Sequence, residues 1–194
     1  MADEAPGWEA IDAACRQLHG TQTPKHVGYP PGVHLGAGLQ GCSAYDADDH
    51  WHYVTYGLTE LWAKEEGADP EVSGWGYELT MRVVKAGPEP EGWPFNELEF
   101  IARHTRTRGH PFRVGDRIDR ERPIGGLDQT RLTAFAVLPD PELVPMTTPN
   151  GSFEFRQLVG ITADELTEMR ATSTEAVLDR LRRASPKLVT DPRR

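Results

Sequence analysis

The chain has 194 residues, 38% of them hydrophobic and 26% charged, with 16 prolines and 19 glycines. That balance suits one globular domain, expected over residues 1–194, and excludes a low-complexity or wholly disordered chain. No stretch reaches the roughly 18–20 consecutive apolar residues of a membrane span, and the opening Met1-Ala2-Asp3-Glu4 has no basic n-region, so a cytoplasmic protein with no membrane partner is expected. Charge is unevenly placed: residues 1–102 hold 17 Asp and Glu against 5 Lys and Arg, and the remainder 13 against 16, for a net charge of -9.

A helix is expected first, because Trp8, Ile11, Cys15 and Leu18 recur at helical spacing and Gly20 follows as a stop. His26 to Gly41 is rich in Gly and Pro and reads as loop around Tyr29-Pro30-Pro31-Gly32, before a short strand at Leu39 to Tyr45. His50 to Tyr56 is dense in aromatic and β-branched residues and is closed by Gly57, which predicts a strand. In Gly74 to Val83, Trp75, Tyr77, Leu79, Met81 and Val83 alternate with Gly, Glu, Thr and Arg, the period of a half-buried strand. Trp93-Pro94 opens a second helix with Leu98, Ile101, Ala102 and Thr105 as its buried stripe. Strands follow near Phe112–Ile118, Arg131–Leu138 and Ser152–Val159. Thr162-Ala163-Asp164-Glu165 is a capping box with Ile161 and Leu166 placed as a hydrophobic staple, and Val177, Leu178 and Leu181 mark a last helix. This irregular order of helices and strands predicts an α+β fold, a mixed and largely antiparallel sheet with helices packed on it.

Few residues have the spacing that chemistry needs. His50 and His52 would share one strand face and could ligate a metal with Asp46, Asp48 or Asp49, which makes a metal-dependent hydrolase the alternative reading, although histidines serving only the sheet explain the same spacing. Glu60, Glu65 and Glu78 offer carboxylates without a specified separation. Ser43 and Ser73 lack a nucleophile elbow, and Cys15 and Cys42 lack CxxC spacing, which suggests two buried free thiols. Gly36-Ala37-Gly38-Leu39-Gln40-Gly41 fits GxGxxG, but no amphipathic helix follows, so a loop is the better reading and no cofactor is expected. Net acidity argues against nucleic acid as a partner. The arginines between Arg103 and Arg131 form a candidate basic stretch, weakened by interleaved Asp116, Asp119, Glu121 and Asp128. Trp51, Tyr53, Trp75 and Tyr77 belong more naturally to a core than to a ligand.

The run His50-Trp51-His52-Tyr53-Val54-Thr55-Tyr56-Gly57-Leu58-Thr59-Glu60-Leu61 resembles the HWHY signature of the Suppressor of fused domain family. Ser73-Gly74-Trp75-Gly76-Tyr77-Glu78-Leu79-Thr80-Met81-Arg82 is similar to a second family segment, and Trp93-Pro94, Ile101-Ala102-Arg103 and Gly115-Asp116 follow in family order. Pro145 through Leu166 and Thr190-Asp191-Pro192-Arg193-Arg194 complete a resemblance covering nearly the whole chain. It implies the N-terminal module of the animal member, a non-enzymatic protein-binding domain. A stand-alone copy looks like bacterial members, which implies an immunity protein. The partner is then another protein, a basic toxin domain or a transcription-factor-like peptide. The resemblance also implies that the partner adds a strand near Gly115-Asp116, with Asp116 and His104 as ligand-facing residues. A turn residue bonding its own backbone is the competing reading of Asp116.

Overall fold

The computed structural model describes residues 5–29, 38–64 and 66–194. In chain order these form α1 (Pro6–His19), β1 (Lys25–Gly28), β2 (Gly41–Ala47), β3 (His50–Tyr56), β4 (Val72–Val84), α2 (Gly92–Arg108), β5 (Arg117–Asp119), a 3-10 turn (Ile124–Gly126), β6 (Leu132–Pro139), β7 (Met146–Thr148), β8 (Gly151–Thr162), α3 (Ala163–Ala171) and α4 (Thr174–Ala184). The helices and the strands at His50, Gly74, Arg131 and Ser152 lie where the residue pattern puts them. Strands β1 and β7 were not expected, and residues 30–37 of the Gly/Pro-rich loop lie outside the described residues. The strand expected at Phe112–Ile118 shrinks to β5, because Gly115 takes φ +93° and Asp116 Oδ2 accepts from Arg113 N at 2.7 Å, which makes residues 113–116 a turn.

One sheet runs in the order β1-β2-β3-β4-β8-β6-β5, with β7 also paired to β8. The pairings are antiparallel except β4 with β8 at the centre, which is parallel and makes the sheet mixed. One face carries α2 over Tyr53, Leu79, Met81, Phe135 and Leu158. The other carries two apolar clusters: α1 over Tyr45, Val54, Phe153 and Phe155, and α3 with α4 over Ala134, Ala136, Val159 and Ile161.

Because helices cover both faces, the half-buried strand expected at Gly74–Val83 is instead buried on both sides over most of its length. Its alternate polar residues Glu78, Thr80 and Arg82 are fully buried and need partners inside the protein. Helix α1 approaches so closely that a Cβ on Gly7 would lie 2.1 Å from the Glu60 carbonyl oxygen. The capping box at Thr162 and Glu165 is formed, and Ile161 and Leu166 bury in one cluster, closing the staple. Among the described residues, no helix is long and apolar enough to cross a membrane.

Candidate functional site

Between the two clusters on the α1 side lies a buried polar group that no sequence spacing announces. His52 is fully buried, and its Nδ1 is 2.9 Å from Nε2 of His19 on the last turn of α1. Asp140, just past β6, takes a two-toothed pair from Arg82, at 2.6 Å to Oδ2 and 3.0 Å to Oδ1, and accepts from Thr80. Gln157 Oε1 and Glu142 complete the guanidinium's partners. His52 Nε2 sits 3.3 Å from Asp140 Oδ2, close but too poorly aligned for a hydrogen bond. The carboxylate has no proton to give, so the consistent assignment has His52 carrying hydrogen on Nε2 and accepting at Nδ1 from His19.

The charges follow from this packing. Burial, reinforced by Arg82, pushes both His52 and His19 down to about 4, so both are neutral near pH 7. Burial works to raise the Asp140 carboxyl, and the groups facing it, His52 and Arg82, overcome it and hold Asp140 well below the usual carboxylate range. His50 Nδ1 contacts Asp49 Oδ1 at 2.6 Å. Both ring nitrogens of His52 and one of His50 thus face groups of the protein itself, and no cluster of three or more His, Cys, Asp or Glu suited to a metal forms among the described residues. Of the carboxylates expected to complete a metal site, Asp46 pairs with Lys85 and Asp49 with His50.

The remaining chemical candidates are also built into the fold. Glu78 accepts from Thr55 Oγ1, Gly57 N and both donors of Thr59, pinning the turn after β3; burial still raises its pKa. Glu60 pairs with Lys64, and Glu65 lies outside the described residues. Ser43 bonds His26, and Ser73 accepts from Glu60 N. Gly36 and Ala37 lie outside the described residues, and Gly41 opens an antiparallel strand rather than a helix, which removes the context of a dinucleotide cradle. Cys15 and Cys42 are free and buried, as expected, and burial pushes the Cys15 thiol up to about 12. A cavity of about 710 Å³ beside α4 has Val84, Val159 and Leu188 in its wall and Arg180, Glu165 and Arg194 on its charged side, where Arg194 pairs with Glu165 and Arg180 with Glu168.

Among the described residues the sheet ends at β1 on one side and at β5 on the other, and the β5 end carries the residues to which the family resemblance points. Gly115 N donates to Val137 O at 2.8 Å and Val137 N to Asp116 O at 2.9 Å, two residues against one, a bulge that opens the strand. Arg120 N donates to Thr133 O, so residues 116, 118 and 120 turn their backbone groups toward β6. By the two-residue alternation of an antiparallel ladder, Arg117 and Asp119 direct theirs outward. The side chains divide the same way: Ile118 and Arg120 face α2, where Arg120 bonds Glu97 at 2.9 Å and lies 3.8 Å over the Phe100 ring. Arg117 reaches Met169 O, and Asp119 pairs with Arg170 on α3. Asp116 shows the local turn bond of the competing reading, while its Oδ1 has no partner among the described residues. His104 is exposed on α2 and stacks on Phe112 of the adjoining loop, with ring centres 5.7 Å apart. Phe100 and Val114 add exposed apolar surface, at 38% and 49%.

Comparison with known proteins assigns the family. The family profile described as SUFU: Suppressor of fused protein matches residues 37–194. The human and mouse Suppressor of fused homologues are each 30% identical over 165 residues, 79% of this chain but 34% of theirs, so the chain spans about a third of the curated relatives it matches. Among solved structures, a chain of the Sufu-Fu complex has a TM-score of 0.85 at 30% identity, covering 97% of this chain and 90% of that one. Drosophila Suppressor of Fused gives 0.87 at 29%, covering 100% and 51%. A SUFU homologue from Neisseria gonorrhoeae gives 0.66 at 16%, covering 94% and 92%, a likeness of fold. With residues 37–194 matched by the family profile and its signature strands lying in the sheet's interior, the chain belongs to the Suppressor of fused family.

Proposed function

We propose that this chain is a non-enzymatic protein-binding domain, cytoplasmic and working as one unit over residues 1–194, which takes an extended segment of a partner protein onto β5. The observation that carries this reading is the outward direction of the Arg117 and Asp119 backbone groups at the end of the sheet, where a partner strand finds donors and acceptors already aligned. Asp116, with Oδ1 open, receives a hydrogen-bond donor of the partner, and His104 borders the same loop. The existence of a Sufu-Fu complex supports protein binding by a relative of the same fold.

The partner we favour is a toxin domain neutralised by binding, the immunity role that the resemblance to stand-alone bacterial members implies. Of the acidic residues of the first half, Asp48, Asp49, Glu66, Asp69 and Glu71 are exposed between β2 and β4, and this suits a basic body steered toward them. Co-purification with the proteins encoded beside this chain, followed by amide hydrogen exchange of the complex, tests both parts. Slowed exchange at Arg117 and Asp119, with affinity falling as salt rises, is the expected result. Slowed exchange elsewhere with β5 unchanged rejects strand addition, and capture of a transcription-factor-like protein instead of a toxin rejects the immunity role.

A further inference from the structure

The charges along β5 are ordered in a way that strand addition by an arbitrary partner does not require. Residues 116–120 read Asp-Arg-Ile-Asp-Arg, and reversing the direction of the strand exchanges every charge for its opposite about Ile118. An antiparallel copy centred there sets Arg117 against Asp119 of the second copy and Asp116 against Arg120, with Ile118 against itself. The backbone agrees with this register. Arg117 and Asp119 are the residues whose groups point outward, and in this register they meet as two hydrogen-bonded pairs. The side-chain faces agree too: Arg117 and Asp119 share the α3 face, while Ile118 and Arg120 share the α2 face, where exposed Phe100 extends the apolar surface.

We infer that two copies of this chain associate through β5 in antiparallel, two-fold register, joining their sheets edge to edge. Charged edge strands ordinarily discourage pairing, because an approaching strand meets like charges or leaves them unmatched. Here a second copy supplies the complement to the two exposed residues, Arg117 and Asp119, while Arg120 stays with Glu97, and opposite charges across an antiparallel pair are favourable. The three-residue strand makes a small interface. It therefore belongs with the weak, transient contacts, which a partner can displace. The inference rests on the geometry of this edge and not on any partner's identity. Homodimerisation and partner binding would compete for the same backbone groups.

The test is a charge swap read by sedimentation equilibrium on the full chain at concentrations from about 10 µM to 1 mM, where weak, transient pairs form. Wild type is expected to shift from monomer to dimer across this range and to lose dimer in high salt. Arg117→Asp places carboxylate against carboxylate, and Asp119→Arg places guanidinium against guanidinium, so each variant alone stays monomeric. An equimolar mixture of the two restores opposite pairing and dimerises, and the double variant R117D/D119R does so by itself. Both sites are exposed, and circular dichroism confirms that each variant remains folded. A wild type that stays monomeric throughout overturns the inference, as does a mixture that behaves like its separate components. Either failure leaves strand addition by a foreign partner standing, because that is read by hydrogen exchange in the partner complex.

Discussion

Strands β3 and β5 show how differently one sheet uses its residues. All seven residues of β3 are buried, and its histidines face His19, Asp140 and Asp49. Strand β5 has three residues, two of them exposed, and an edge whose backbone groups lack a neighbouring strand. The strand richest in chemistry-bearing side chains is therefore structural, and the short strand beside a Gly-Asp turn is one of the two ends of the sheet. A histidine pair draws attention because it can ligate or transfer protons, but here both rings are buried, His52 against His19 and Asp140 and His50 against Asp49.

The largest effect that would break this contrast is at the buried carboxylate. Replacing Asp140 with Ala leaves the Arg82 guanidinium without its two-toothed partner inside the protein and should cost about 3–5 kcal/mol in denaturant unfolding. If the cost is small, the His52 cluster is not the structural keystone described above.

Acid should act on the same region next. His19 and His52 bind protons less readily in the folded protein, at about 4, than as ordinary imidazoles in the unfolded chain, at about 6.5. The unfolded chain then binds more protons between these values, so stability is present in full above about pH 6.5 and is lost as pH falls toward about 4. Urea midpoints measured across that window should fall with acidity, and more shallowly in His19→Gln. A flat profile for wild type would place the shift elsewhere.

Thr162→Ala should cost about 1 kcal/mol by removing the side-chain acceptor for Glu165 N. The smallest effect on stability is expected at β5: Asp119→Pro removes an outward N–H that β6 does not use and costs about 1 kcal/mol or less, its exposed pair with Arg170 included. The same variant should abolish strand addition, measured as partner retention on a column. Retained binding in that variant would show that the partner docks elsewhere.

Much of the fold was legible in local pattern. The period of Gly74–Val83, the capping box at Thr162 and the apolar stripe of α2 each depend on residues within a few positions of one another. The failures share a cause. The burial of Glu78, Thr80 and Arg82 depends on a second layer of helices, which alternation along one strand cannot reveal. The partners of His52 come from α1, β4 and the turn after β6, separated by up to 88 positions, and no spacing rule spans such distances.

Periodicity, capping and turn residues by themselves determined the kinds of element and most of their places, because propensity, capping and amphipathic period act within a turn or a strand, and the resemblance of the HWHY run and the segments after it pointed to the family. Tertiary structure alone decided which polar residues are enclosed and which backbone groups remain unpaired. Both depend on strand order: β3 lies inside the sheet and β5 at its end, and a strand's neighbours are set by the whole chain's topology.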